Sequence, residues 1–239
     1  MTTNPVHFDE KKMIAHRGAS ALETENSNAA FVAAGNRSYW GIETDVHRTK
    51  DGKFIIIHDD TTTRITGKEL CVEETSFDEL RQLRLLNVPG ETPRHDLVLP
   101  SLSEYAAICR HYEKIAVLEI KNPMEQEDIA GILTVLKAEE MLEKTVFISF
   151  CYENLLLVRR LFPEAKVQFL CSVMNKERLE RMVQDRFDLD IHHSGVTPEI
   201  VAAFHKAGLK INVWTVDDPQ QCEALFKMGV DYVTSNACE

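Results

Sequence analysis

Two apolar runs of the sequence carry charged residues at alternate positions. Glu43 and Asp45 lie two residues apart in one run, and Glu119 stands two residues before Lys121 in another. Side chains two residues apart on a β-strand point to the same face, so each run would present its charges together. Three crowded carboxylates repel one another unless a cation compensates them. Oxygen ligands without cysteine suit Mg²⁺ or Ca²⁺, so these acids are candidate ligands of a divalent cation.

Two histidines and two cationic side chains accompany the acids. The stretch "AHRG" places His16 and Arg17 at the end of an apolar run, and His58 ends the run "FIIIH". Histidine can act as a general base or a general acid near neutral pH. Arg17 and Lys121 suit the non-bridging oxygens of a phosphate. A metal, two cations and an acid–base pair together predict the cleavage of a phosphodiester.

The dipeptide Asp51-Gly52 predicts a tight hairpin between two of these runs. A two-residue turn there sets Asp45 directly opposite His58, and opposed residues share a sheet face with Cβ atoms about 4.5–5.5 Å apart. Glu43 shares that face through strand alternation. We therefore expect the hairpin to return His58 beside two carboxylates, unless a bulge interrupts the pairing.

Structural interpretations compete with chemical ones at each position. Alternating polar residues occur on solvated edge strands, a histidine beside an arginine can be structural, and a Glu–Lys pair can be an ion pair of the core. Repetition of the pattern on several strands favours a site. Trp214 is either a core residue or an apolar wall of a substrate pocket, and Phe150 and Ser149 are further candidates for that pocket. His192 and His193 predict a hydrophilic loop, with lining of the barrel mouth by one of them as the alternative.

The recurring apolar runs predict how these residues are positioned. Eight runs alternate with helical segments, at 13–18, 41–46, 115–121, 145–150, 165–171, 189–194, 209–216 and 230–235. Helix starts are marked by capping patterns such as Ser101 with Glu104 and by Thr197-Pro198. Eight strand–helix units predict an α/β fold, a (β/α)₈ TIM barrel, with a doubly wound open sheet as the main alternative. In a barrel, groups at the carboxyl ends of the strands converge on one face.

One interval between the runs is longer than the others. Residues 59–100 fit no barrel unit and include a short predicted helix near 76–84 and a loop with Pro89, Gly90 and Pro93. We expect one domain over 1–239, with 59–100 inserted at the barrel mouth as a small cap.

Composition and charge narrow the partners of the protein. The formal charge of −11 opposes broad binding to nucleic acid or an anionic membrane, and no run approaches the ~18 apolar residues of a membrane span. The six cysteines lack a C-x-x-C pair, which indicates free thiols in a reducing compartment. The polar start lacks a secretory apolar segment. We expect a cytoplasmic protein that acts on a small molecule, without nucleic acid or stable membrane association; no pattern sets its oligomeric state.

These motifs together resemble the glycerophosphodiester phosphodiesterase family. The matching pieces, in chain order, are "AHRGAS", "ETDVHRTKDG", "IIIHDD", "LEIK" and "VWTV". The resemblance implies a TIM barrel with a cap after the H-D element, and hydrolysis of a glycerophosphodiester to sn-glycerol 3-phosphate and an alcohol. The implied roles are binding of one divalent cation by Glu43, Asp45 and Glu119, acid–base chemistry by His16 and His58, and phosphate binding by Arg17 and Lys121. Which histidine is the acid stays open.

Three positions depart from the family pattern. The family usually has P-E-N-T where this chain has T-E-N-S, but Glu25 and Asn26 are kept, so we expect the helix entry and the loop bracing to persist. Asp217 follows W-T-V where Asn is usual, and the eighth strand ends in T-S-N, at Asn236, where T-D is common. The last two departures lie at the predicted barrel mouth and bear on substrate choice.

Two other functions stay open at this point. A phospholipase-type relative on the same barrel would act on intact lipids and would need an apolar, membrane-facing rim, for which the insertion offers only "LRLL". A barrel that binds phosphorylated ligands without turnover is the non-catalytic alternative. The full set of acids, histidines and cations argues against it.

Overall fold

The computed structural model describes residues 2–87 and 92–239, in which nine strands form one sheet. The strands are β1 Met13–Ala15, β2 Gly41–Arg48, β3 Phe54–Ile56, β4 Ile115–Ile120, β5 Thr145–Ser149, β6 Lys166–Cys171, β7 Asp188–His192, β8 Ile211–Trp214 and β9 Tyr232–Ser235. Eight of them run parallel in the order β1-β9-β8-β7-β6-β5-β4-β2, and β1 also pairs with β2. This closure confirms the predicted TIM barrel, since a doubly wound sheet keeps two open edges.

Helices separate the strands along the chain, and two short ones belong to the segment 59–100. They are α1 Asn28–Gly35, α2 Thr63–Thr66, α3 Phe77–Leu80, α4 Leu102–His111, α5 Gln126–Ala138, α6 Tyr152–Leu161, α7 Lys176–Asp185, α8 Pro198–Lys206 and α9 Pro219–Met228. The predicted start signals act as expected: Ser101 and Glu104 form a reciprocal capping box, and Thr197 caps α8 ahead of its first-position proline.

The barrel interior is apolar at one end and polar at the other. Side chains of β1, β4 and β5, among them Ile14, Val117 and Val146, form a buried cluster inside the barrel. Each such side chain stabilises the fold by about 1.5–3 kcal/mol through burial. The carboxyl ends of the strands carry the polar groups instead, so the apolar end holds the barrel together while the polar end is available for chemistry.

The segment 59–100 follows β3 and carries α2 and α3. It encloses a second apolar cluster with residues of β3, and the leucines of "LRLL", Leu83, Leu85 and Leu86, are buried. They therefore contribute to packing rather than to an exposed apolar rim. Pro89 and Gly90, which the predicted loop included, lie outside the described residues.

The predicted register of the hairpin is wrong by one residue. β2 pairs antiparallel with β3 through Val46 and Ile56, which places Asp45 opposite Ile57 rather than His58. The N–H of Ile57 accordingly donates to the carbonyl of Asp45 at 3.1 Å. The predicted pairing of Asp45 with His58 across the ladder is thus not formed.

The loop of the hairpin explains this shift. The N–H of Thr49 donates to the carbonyl of Lys53 at 2.8 Å, so the loop has three residues instead of two. Its last residue, Gly52, has φ +73°, a left-handed conformation that glycine adopts without steric cost. His58 lies beyond the paired residues, and the chain still delivers it to the barrel mouth.

Candidate active site

A pocket opens at the carboxyl end of the barrel. Its lining consists of His16, Arg17, Glu43, His58, Glu119, Ile148, Phe150, Leu170, Asp190, Trp214 and Thr234. Lys121 lies beside the acids, with Nζ 2.8 Å from Glu119 Oε1 and 3.3 Å from Asp45 Oδ1. The structure therefore brings together all nine residues that the sequence singled out for metal, phosphate, acid–base and pocket roles. Ser149 is fully buried instead and donates to the carbonyl of Ile120 at 2.6 Å.

The three carboxylates form a compact buried group. One oxygen from each of Glu43, Asp45 and Glu119 lies within 4.8 Å of the others. The parallel pairing of β2 with β4 sets Asp45 directly beside Glu119, and strand alternation adds Glu43 on the same face. The side chains are 1–8% exposed, so water compensates little of their charge.

The negative charges of the three carboxylates are only partly compensated by nearby cations. Burial, together with the charges of Asp45 and Glu119, raises the pKa of Glu43 well above its ordinary value. Burial also favours the neutral form of Asp45, but Lys121 and Arg17 outweigh that effect and lower its pKa. Asp45 Oδ1 is buried and accepts no hydrogen bond among the described residues, although Lys121 Nζ lies 3.3 Å away as an ion-pair partner. Hard oxygen donors and mutual repulsion fit a divalent cation, which this group is able to hold.

The loop before α1 braces the acidic group. Asn26 Nδ2 donates to Asp45 Oδ2 at 2.7 Å, and Thr44 Oγ1 donates to Asn26 Oδ1 at 2.7 Å. Asn26 has φ +50°, a left-handed conformation that asparagine tolerates better than most residues. Ser27 caps α1 through the N–H of Ala30. The helix entry and bracing expected from the conserved Glu25 and Asn26 motif positions are therefore confirmed.

The two histidines have different partners at Nδ1. His58 Nδ1 lies 2.7 Å from Asp59 Oδ1, and His16 Nδ1 lies 2.7 Å from Asn236 Oδ1. Burial is the largest influence on both rings and lowers their pKa values, and Arg17 adds to the effect at His16. Of these two rings, His58 is the one that a carboxylate contacts at Nδ1, while His16 contacts an amide there.

Arg64 of α2 joins two of these elements. Its Nη2 donates to Glu25 Oε1 at 2.8 Å and to Asp59 Oδ1 at 3.1 Å. The same Glu25 oxygen accepts from Arg17 Nη1 at 2.8 Å, and the same Asp59 oxygen bonds His58. One nitrogen of the insertion thus contacts both oxygens that hold Arg17 and His58.

Sequence reasoning missed several members of the site. Asp59 directly follows His58 and could have been noticed from "HDD", because an adjacent carboxylate commonly orients a histidine. Arg64 gave no such signal, since its contact with Glu25 spans 39 positions of the chain. His192 ends β7 and packs its ring edge-on against Trp214, with ring centres 5.2 Å apart.

The carboxyl face of this TIM barrel combines three clustered carboxylates, two histidines and two cationic side chains. This combination is typical of a phosphoric diester hydrolase. The model of the Glycerophosphoryl diester phosphodiesterase family matches residues 16–239. The chain belongs to this family, and the predicted membership is confirmed. Its members are enzymes that hydrolyse glycerophosphodiesters.

Individual relatives agree with this assignment. A glycerophosphodiester phosphodiesterase of Caldanaerobacter subterraneus is 29% identical over 231 residues, covering 94% of this chain and 93% of the relative. A phosphodiesterase of Oleispira antarctica, solved with the product sn-glycerol-3-phosphate, is 28% identical, with a TM-score of 0.86 and coverage of 95% and 93%. A Silicibacter pomeroyi structure, 23% identical with a TM-score of 0.87 and coverage of 95% and 90%, supports the fold.

None of the helices within 2–87 and 92–239 has the length and apolar character needed to cross a membrane.

Proposed function

We propose that the protein hydrolyses glycerophosphodiesters to sn-glycerol 3-phosphate and an alcohol, with one divalent cation, Mg²⁺ or Ca²⁺, held by Glu43, Asp45 and Glu119. The observation that carries this proposal is the convergence of three carboxylate oxygens within 4.8 Å beside two histidines. The Oleispira relative with bound sn-glycerol-3-phosphate supports the same product for this chain.

Phosphate binding would fall to two cationic side chains beside a cation that Glu43, Asp45 and Glu119 would hold. A bound cation would supply Lewis-acid stabilisation of the charge that develops on the phosphate. Arg17 and Lys121 bind the non-bridging oxygens, because both lie at the acidic group and retain positive charge there. Their pKa values are raised because Asp45 and neighbouring acids outweigh the effect of burial.

The partners of the two histidines support different roles for them. Burial raises the pKa of Asp59, but hydrogen bonds from Arg64 and His58 lower it to about 2, so this group is a carboxylate. It accepts a hydrogen bond from Nδ1–H of His58, and this bond favours the charged form of the ring, although burial lowers the His58 pKa overall. His16 bonds an amide and is buried next to Arg17, which favours its neutral form. His16 therefore removes a proton from the attacking glycerol hydroxyl, and His58 protonates the leaving alcohol. Water then opens the resulting cyclic phosphate.

The substrate side of the pocket is aromatic. Phe150 and Trp214 pack edge to face with ring centres 5.7 Å apart, and Phe150 is 48% exposed. They form an apolar wall for the substrate. The two departures from the family pattern, Asp217 and Asn236, lie near this mouth through their contacts with each other and with His16. The alcohol headgroup would be recognised by the residues around the mouth.

We also propose that 1–239 form one domain with 59–100 as its insertion, and that the protein acts in the cytoplasm. Burial of the "LRLL" leucines favours a small substrate over an intact lipid.

A substrate panel tests this function. Glycerophosphocholine and glycerophosphoethanolamine should release sn-glycerol 3-phosphate with Mg²⁺, Ca²⁺ or Mn²⁺, measured by a coupled glycerol 3-phosphate assay. Phosphatidylcholine vesicles should be turned over far more slowly. Faster turnover of the intact lipid would replace this proposal with the phospholipase alternative, and release of inorganic phosphate or no product from any substrate would contradict it.

Arg64→Lys should lower kcat by roughly 10- to 100-fold, because a lysine offers one ammonium where the guanidinium donates to Glu25 and Asp59 with two edges. The two acids that contact Arg17 and His58 would then be held less firmly in position. Steady-state kinetics on glycerophosphocholine measures the change.

Arg94→Lys is the matched control for Arg64→Lys. Arg94 also lies in the insertion and also bridges two acids, Glu23 and Asp96, at 2.7 Å each. Its replacement should leave kcat within about twofold, since surface pairs contribute little. Equal effects of the two substitutions would show that Arg64 serves folding of the insertion only.

A further inference from the structure

Two departures from the family pattern meet at one histidine. Asn236 Nδ2 donates to Asp217 Oδ2 at 2.8 Å, and Asn236 Oδ1 lies 2.7 Å from His16 Nδ1. We propose that Asp217 and Asn236 are positioning residues that fix the tautomer and orientation of His16. The inference rests on the proposed function, in which His16 takes a proton from the substrate.

The neighbours of Asn236 determine which end of its amide faces His16. An ionised carboxylate only accepts hydrogen bonds, so the NH₂ end of Asn236 faces Asp217 and the oxygen faces the ring. Ser20 Oγ also donates to Asn236 Oδ1, at 3.0 Å. Burial alone would raise the pKa of Asp217, but hydrogen bonds from Asn236 and Ser235 lower it. The amide therefore has one orientation that satisfies both of its ends.

Asp217 is itself held in place by the end of β9. It accepts from the backbone N–H of Asn236 at 2.7 Å and from Ser235 Oγ at 2.9 Å, both through Oδ1. The other oxygen is left for the Asn236 side chain. Rotation of the amide would break its bond to Asp217, so the carboxylate locks the amide as well as orienting it.

This arrangement decides which nitrogen of His16 can act. Asn236 Oδ1 is an acceptor, so Nδ1 of the neutral ring carries the proton and Nε2 keeps its lone pair. A ring with the opposite tautomer would carry hydrogen on Nε2 and could not take a proton there. A carboxylate plays the same orienting role in the Ser-His-Asp triad, where the wrong tautomer lowers kcat by about 10⁴.

The geometry also makes the two positions interdependent. An amide at 217 and a carboxylate at 236 would preserve both hydrogen bonds, with the amide donating to the carboxylate and the carboxylate accepting from His16. With Asp217 and Asn236, the carboxylate contacts the amide instead of His16, so the negative charge lies one residue further from the His16 ring. Each single replacement would disturb a contact that the paired replacement preserves.

Nitrogen NMR of the metal-free protein tests the tautomer directly. ¹⁵N shifts and ring couplings should show His16 with hydrogen on Nδ1. Asn236→Ala and Asp217→Ala should shift it towards the Nε2–H form, while the double variant Asp217→Asn/Asn236→Asp should retain hydrogen on Nδ1. A parent ring with hydrogen on Nε2, or an unchanged tautomer in Asn236→Ala, would overturn the inference.

Kinetics provides the second measurement. Asn236→Ala and Asp217→Ala should lower kcat by roughly 10- to 100-fold while KM changes much less. The paired exchange should recover most of the loss. Asp218→Ala is the matched control, since Asp218 caps α9 through the N–H of Gln220 instead of bonding Asn236, and its kcat should stay near that of the parent.

His16→Ala separates failure of the inference from failure of the proposed function. An inactive His16→Ala beside an Asn236→Ala variant with parental kcat would reject the positioning pair and leave the proposed function intact. A fully active His16→Ala would reject the acid–base role of His16 and, with it, the inference.

Discussion

Glu43→Gln should lower turnover of glycerophosphocholine by roughly 10³-fold, because loss of one charged ligand removes about 4 kcal/mol of transition-state stabilisation. Glutamine keeps the side-chain shape and an oxygen that can accept from the N–H of Arg17, now 2.7 Å from Glu43 Oε2. It lacks the charge that compensates the cation. EDTA should stop the parent enzyme, and added Mg²⁺ or Ca²⁺ should restore it.

A thermal melt distinguishes loss of the metal from loss of the fold. Because burial and the neighbouring acids raise the pKa of Glu43, its charge opposes folding at neutral pH. The metal-free variant should therefore unfold at no lower temperature than the metal-free parent. Only the parent should gain stability when metal is added, since a ligand stabilises the state that binds it.

Asp188→Asn is the matched control for Glu43→Gln. Asp188 begins β7, at the end of the barrel away from the pocket, and burial raises its pKa above the ordinary value. Its replacement should leave the metal-induced rise in Tm unchanged. If Glu43→Gln binds metal and turns over substrate like the parent, the proposed metal site is wrong.

His58→Ala and His16→Ala should each lower kcat by about 10²–10⁴-fold on substrates with an alkyl alcohol, because each removes one proton-transfer partner. A glycerophosphodiester of p-nitrophenol separates the two roles. p-Nitrophenolate leaves without protonation, so a general acid is not needed. The kcat of His58→Ala on this substrate should therefore lie within roughly tenfold of the parent value. His16→Ala should stay impaired, since the attacking hydroxyl still needs a base.

His193→Ala is the control for removal of a histidine near the mouth. The His193 ring bonds Gln221 Nε2 at 3.1 Å, so its loss should leave both substrates unaffected. Recovery of His16→Ala instead of His58→Ala would exchange the two roles. If neither variant loses activity on the alkyl substrate, these histidines are not the acid–base pair.

The hairpin shows where local sequence rules stop. Asp51-Gly52 correctly predicts a turn, because glycine allows the left-handed conformation found at Gly52. The size of the loop was not predictable from the dipeptide, since Thr49 Oγ1 accepts from the N–H of Lys53 at 3.1 Å and closes a three-residue loop. Backbone and side-chain contacts of Thr49 thus accompany a register that the dipeptide alone does not specify.

The sequence by itself determined the barrel and its acids, because alternation along a strand is a local property. Glu43, Asp45 and Glu119 needed only their own strands and the parallel pairing of β2 with β4 to meet. The strand pattern also predicted Arg17 and Lys121 at the carboxyl ends of strands, where side chains from different strands of a barrel converge.

The tertiary structure alone decided how the candidate catalytic groups are held. Arg64 meets Glu25 across 39 positions, and His16 meets Asn236 across 220 positions of the chain. The second contact exists because β1 pairs with β9, with Ala15 beside Ser235, when the barrel closes. Contacts between such distant residues depend on the closed barrel, so no local pattern could reveal them.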